Sequence, residues 1–126
     1  MSEARALDLR VTSGAGGGAT VVQAVGDLDL ASSGGLQTAL QSSLANGMVV
    51  LDASGIGFCD SAGVKAILRA NHDAGRLGTV LRLAAPSEAL VRMMELIGLF
   101  AVLDVFPDVP AALAASPSPA GGGPSR

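Results

Sequence analysis

The sequence has little of what usually advertises a chemistry. It contains no Trp, no Tyr, three Phe, one Cys, one His and a single Lys, Lys65. Each scarcity excludes something. With Cys59 alone there is no intrachain disulfide and no cysteine-based zinc cluster. No stretch approaches the roughly 18 consecutive apolar residues that a membrane helix needs. The opening MSEARALDLR carries an acid and no apolar core segment, unlike a secretory signal. A cytoplasmic protein without membrane contact is expected. The net charge of −3 offers no basic face to a phosphate backbone, so nucleic acid is not an expected partner. What remains is aliphatic. At 126 residues the chain suffices for one domain, with a core of Leu, Val, Ile, Met and Ala.

Hydropathy patterning predicts the elements. ALDLRVT (6–12) alternates as a half-buried strand does, and ATVVQAVG (19–26) reads as its hairpin partner across the Gly-rich 13–18. In SSGGLQTALQSSLANG (32–47), Leu36, Leu40 and Leu44 make one helical stripe, with Gly47 as a stop. MVVLDA (48–53) is apolar on both faces, like a central strand covered from both sides. A helix follows over 61–75, with Val64, Ile67, Leu68 and Ala74 at helical spacing. Residues 78–85 form a strand, and a helix from Pro86 or Ser87 to Gly98 sets Leu90, Val91, Met94 and Ile97 on one face. A last strand (100–106) and a short helix capped by Asp108 complete a domain over 1–115. The Pro/Ser/Gly-rich 116–126 has no apolar side chain larger than Ala and is expected to be a disordered tail. Strands alternating with helices imply crossovers. The predicted fold class is α/β, a mostly parallel sheet with an antiparallel edge hairpin, covered by about four helices.

One stretch raises a functional question: FCDSAGV (58–64), where Ser61 lies between an apolar run and a helix. Either Asp60 or Ser61 can cap that helix. Ser61 as a nucleophile needs a base within hydrogen-bond reach. His72, the sole histidine, lies eleven residues along the same helix, about 16 Å away at 1.5 Å per residue. The G-x-S-x-G elbow is also absent, because Cys59 stands two residues before Ser61. Lys65 is one turn away, but nothing else supports a Ser–Lys pair, and no enzymatic activity is expected. Modification suits the position better. A phosphoryl group at a helix start meets N–H donors and the positive end of the dipole. It also adds about −1.5 to −2 charge for a docking partner to accept.

Three stretches resemble the STAS domain family, and within it the bacterial anti-sigma factor antagonists: AVGDLDLASS (24–33), VVLDASGIGFCDSAGVKAIL (49–68) and RLGTVLRLAAPSEALVRMMELIGLFAVLDVF (76–106). The middle one is the most specific, with Asp-Ser-x-Gly after a buried strand. The resemblance covers roughly residues 5–115. It implies a partner-switching protein whose unphosphorylated form binds an anti-sigma factor serine kinase and frees its sigma factor. Phosphorylation of Ser61 would end that binding, and a serine phosphatase would reset it. It implies Asp60 as shaping the acceptor loop, and Gly63 as admitting the kinase backbone or permitting the strand–helix turn. Asp27 and Asp29 are implied in partner contact or Ser61 positioning, against a solvated loop acid for Asp27 and a helix cap for Asp29. Val64 joins Asp27, Asp29, Asp60, Ser61 and Gly63 as an expected partner contact. No cofactor or metal is expected, and the free protein is expected to be a monomer. A STAS scaffold or accessory subunit that never carries phosphoserine is the alternative.

Other signals carry less. GAGGGA (14–19) fits a dinucleotide fingerprint in letters only, because a strand and not a helix follows the glycines. GIGF (55–58) is too short to cradle a phosphate. Ser54 reads as a turn residue in the loop before Phe58, Cys59 as a small buried side chain, and His72 as solvated. Met93 lies beside the apolar stripe of its helix, as part of a partner surface or as half-exposed core.

Overall fold

The structure is a computed structural model that describes residues 5–13, 19–98 and 100–115. The expected flexible glycines and the expected tail lie largely or wholly outside these residues. The chain forms β1 (Asp8–Ser13), β2 (Ala19–Leu28), α1 (Leu30–Leu44), β3 (Met48–Cys59), α2 (Ser61–Arg76), β4 (Leu81–Ala84), α3 (Glu88–Ile97), a 3-10 turn (Phe100–Val102), β5 (Asp104–Phe106) and α4 (Val109–Ala114). The strands lie in the order β1-β2-β3-β4-β5, with β1 antiparallel to β2 and every later pair parallel. This is the expected mixed sheet with an antiparallel edge hairpin.

Each parallel crossover steps one strand in the same direction. Because such connections share one hand, α1, α2 and α3 fall on the same face. There Leu36, Leu40 and Leu44 of α1, Val64 and Ile67 of α2, and Leu90 and Met94 of α3 bury against Val22, Val49, Leu51 and Leu83. Met93 and Ile97 pack on this core half-buried, so Met93 belongs to the core's edge. The other face is smaller. Val50 and Ala84 meet Ala112 of α4, flanked by Val21, Phe106 and Val109, so β3 is indeed apolar on both sides. Arg82 is only 2% exposed. Its Nη1 donates to the carbonyls of Ala112 (2.7 Å) and Ala115 (3.0 Å), and its guanidinium lies 5.4 Å from the Phe106 ring. A cation thus satisfies the closing carbonyls of α4.

Several boundaries differ from the sequence expectation. β3 runs to Cys59 and does not stop at 53, so Ser54 and GIGF are strand and not loop. Its pairing with β2 slips twice, between Gln23 and Val25 and between Gly26 and Asp27, with one extra β3 residue each time. At the first slip Asp52 Oδ1 accepts from Ser54 N–H (3.1 Å) and Ser54 Oγ (2.9 Å), replacing ladder bonds locally. β4 is shorter than 78–85. Gly78 takes φ 74 as the chain leaves α2, and Ala85, at φ 51, turns it out of the sheet. β5 is shorter too, because β4 has few residues to pair with and residues 100–102 wind into the 3-10 turn. α2 passes through Gly75 to Arg76, and α1 starts at Leu30, not at the serines.

Candidate functional site

β2 and β3 are parallel neighbours, so they end at the same edge of the sheet, with Leu28 paired to Cys59. α1 and α2 therefore start side by side, each on an aspartate. Asp29 caps α1: Oδ1 accepts from Ser32 N–H at 3.1 Å, while Ser32 Oγ accepts from Asp29 N–H at 3.0 Å. This reciprocal capping box satisfies two otherwise orphaned donors. Asp60 caps α2 and does more. Oδ1 accepts from Gly63 N–H and Oδ2 from Leu30 N–H, both at 3.1 Å. One carboxylate ties the first turns of both helices together.

With Asp60 in the cap position, Ser61 becomes the first residue of α2. Its side chain is exposed, and its hydroxyl makes no hydrogen bond among the described residues. Of the two candidates for the cap, the acid takes the role and leaves the hydroxyl uncommitted. Asp27, half-buried at the end of β2, completes the acidic setting. Its Oδ2 accepts from Arg5 N–H and its own N–H donates to the Arg5 carbonyl, both at 3.0 Å. Gly26, at φ 123, lets this strap of residues 5–7 close, since a Cβ there would run into the Ala6 carbonyl.

Comparison with known proteins agrees with this architecture. The sequence profile of the STAS domain family matches residues 7–112. The chain belongs to the STAS domain family. Among solved structures, an anti-sigma factor antagonist from Mycobacterium paratuberculosis is 24% identical, with a TM-score of 0.75 over 90% of this chain and 96% of that one. The Bacillus protein SpoIIAA in its unphosphorylated form is 16% identical, with a TM-score of 0.67 over 86% and 93%. The anion transporter SLC26A9 matches at 19% identity and TM-score 0.67, over 76% of this chain but 19% of its own length. At these identities the likeness is one of fold. No curated protein sequence matches the chain significantly.

In this STAS domain the expected site residues divide into two groups. Asp27, Asp29, Asp60 and Ser61 gather at the shared edge of β2 and β3. Gly63 and Val64 do not belong to the surface. Val64 is 0% exposed within the core, so it offers a partner nothing. Gly63 is buried as well: a Cβ there would lie 2.5 Å from Leu28 Cγ and 2.9 Å from the Leu28 carbonyl. Its lack of a side chain serves the seating of α2 on the end of β2, not the approach of another backbone.

Two neighbours of Ser61 were not singled out from the sequence. Leu30 is 77% exposed and Phe58 is 50% exposed. Phe58 pairs with Asp27 across the sheet, and Leu30 N–H is bound by Asp60. The signal for Leu30 was present, since it stands six residues before Leu36 and off the stripe of α1. The signal for Phe58 was not, because the slips in β3 decide which face it takes.

Cys59 is buried, with Sγ donating to the Asp60 carbonyl at 3.4 Å. Burial first, and then the Asp60 charge, push its thiol up to about 12, so it stays protonated and unreactive at neutral pH. His72 is exposed on α2, which is unbroken from Ser61 onward. Their separation along the axis, about 16 Å, rules out a dyad within one molecule. Among the described residues no group of three His, Cys, Asp or Glu is placed to hold a metal ion. No helix among them is long and apolar enough to cross a membrane.

Proposed function

We propose that this chain is an anti-sigma factor antagonist that works by partner switching, with Ser61 as phosphoacceptor. The observation that carries the reading is the uncommitted, exposed hydroxyl of Ser61 at the first position of α2, on a rigid platform. In the unmodified state an anti-sigma factor with serine kinase activity docks over Ser61, releasing its sigma factor. Leu30 and Phe58 supply apolar contact, and Asp27 supplies charge. The kinase sets Ser61 Oγ against the γ-phosphorus of ATP. The new O–P bond forms as the bond to ADP breaks, and the hydroxyl proton passes to a kinase base. The added charge then lies beside Asp60, which cannot withdraw, and the partner leaves. A serine phosphatase restores the hydroxyl by hydrolysis. The protein itself performs no chemistry and needs no cofactor, and it acts in the cytoplasm as a monomer when free.

The alternative is a STAS accessory subunit that never carries phosphoserine, favoured only by the presence of this fold within the longer chain of SLC26A9. Intact-mass and fragment mass spectrometry on protein from its own cells separates the two. Phosphate mapped to Ser61, with Ser61→Ala retaining the kinase and Ser61→Asp releasing it, is the expected result. Unmodified protein under all conditions, with a stable partner, would overturn the proposal, as would Ser61→Asp binding as tightly as wild type.

A further inference from the structure

Lys65 stands one turn from Ser61, and the role assigned to it below rests on Ser61 being the phosphoacceptor. Ser61 and Lys65 are both exposed and stand four residues apart on α2, where side chains are neighbours across one turn. Lys65 makes no hydrogen bond or ion pair among the described residues. Three other cations are committed elsewhere: Arg76 lies 3.9 Å from Asp73, Arg92 lies 3.6 Å from Glu88, and Arg82 is buried under α4.

The charges around Ser61 can be assigned element by element. The end of β2 brings Asp27, the start of α1 brings Asp29, and the residue before α2 is Asp60. The end of β3 brings the Cys59 thiol, protonated well beyond neutral pH. The N-terminal strap brings Arg5, which is bound to Asp27 through its backbone. Asp60 is immobile, because each of its oxygens holds a backbone N–H of a different helix. A phosphoryl group on Ser61 therefore meets fixed carboxylates and, one turn along its own helix, the long cation Lys65; Arg69, also exposed on α2, stands eight residues on, about 12 Å along the axis.

We propose that Lys65 is the counter-charge of phosphorylated Ser61, its ammonium folded back one turn onto the phosphoryl oxygens. The second ionisation of phosphoserine lies near 6, and neighbouring carboxylates act to raise it toward neutral pH. Lys65 opposes them and keeps the group doubly charged, which maximises the repulsion that expels the partner. Unphosphorylated, the same side chain has no partner among the described residues and leaves the hydroxyl open.

The test is a phosphorus NMR titration of the full chain with phosphoserine genetically encoded at position 61, compared with the same protein carrying Lys65→Gln, Lys65→Arg or Arg5→Gln. The Gln variant at 65 should raise the second ionisation by about 0.3 unit or more, a shift that matches an ion pair at this spacing. The Arg variant should restore the wild-type curve. An unshifted curve for Lys65→Gln overturns the proposal, and so does a shift confined to Arg5→Gln. The encoded phosphoserine needs no kinase. A failure of the acceptor reading would show separately, as a kinase or cell extract that never modifies Ser61 while the titration still responds to Lys65.

Discussion

The carboxylate of Asp60 joins Leu30 to Gly63, accepting one backbone N–H from each at 3.1 Å across a sequence separation of 30 residues on the Leu30 side. Both helix starts depend on it. Removing a capping carboxylate costs about 1 kcal/mol, and here a second donor loses its partner. Asp60→Ala should therefore destabilise the domain by about 2 kcal/mol in urea unfolding, with Asp60→Asn recovering part of the loss. Amide exchange should speed up at Leu30 and Gly63 together. Faster exchange at Gly63 alone would mean that the bridge to α1 contributes nothing.

The contact between Gly63 and Leu28 makes a sharper prediction. A methyl group at 63 would overlap Leu28 Cγ and its carbonyl, and the carbonyl is backbone that cannot rotate away. Gly63→Ala should cost about 1–3 kcal/mol, as overpacking does. Combined with Leu28→Ala, the total should fall short of the sum of the single losses by more than about 0.5 kcal/mol, because the smaller side chain makes room. Strict additivity in a double-mutant cycle would show that the carbonyl alone sets the cost.

The order and type of the elements could be read from the sequence, because their apolar periods were unambiguous. Leu36, Leu40 and Leu44 announced α1, and MVVLDA announced a strand buried on both faces. The place of Asp60 and Ser61 at the junction of strand and helix could be read as well, since both residue types favour a helix start. What could not be read were features decided by pairing between distant segments. The two slips that extend β3 to Cys59 depend on its register with β2, not on local propensity. The burial of Val64 follows from how closely α2 lies on Leu28, which in turn follows from Gly63. Asp60 could be recognised as a cap for its own helix, but its grip on Leu30 needed the sheet to bring the helix starts together.

The buried thiol of Cys59 imposes a pH dependence with a definite sign. Unfolded, the group loses its proton near 9.0; folded, it keeps it up to about 12. Between those values the unfolded state binds fewer protons, so stability falls as pH rises and is unaffected below the window. The slope should reach at most about 1.4 kcal/mol per pH unit. Denaturant midpoints of wild type minus those of Cys59→Ala, taken from pH 8 to 11, isolate this contribution from other titrating groups. A difference that stays flat above pH 9.5 would show that the folded thiol ionises freely.

The exposed pair beside Ser61 should separate binding from folding. Leu30 and Phe58 present apolar surface to solvent, 77% and 50% exposed, so shortening them removes little from the core. If the anti-sigma factor seats there, each becomes buried on docking, and aromatic anchors of that kind commonly carry the largest single losses. Phe58→Ala should weaken the complex by about tenfold or more, with a thermal midpoint within a few degrees of wild type. Leu30→Asp should weaken it further, since it adds a fourth carboxylate to Asp27, Asp29 and Asp60 where an apolar contact stood. Calorimetric titration of the kinase partner into each variant provides the check. Unchanged affinity in both would move the docking surface away from the ends of β2 and β3.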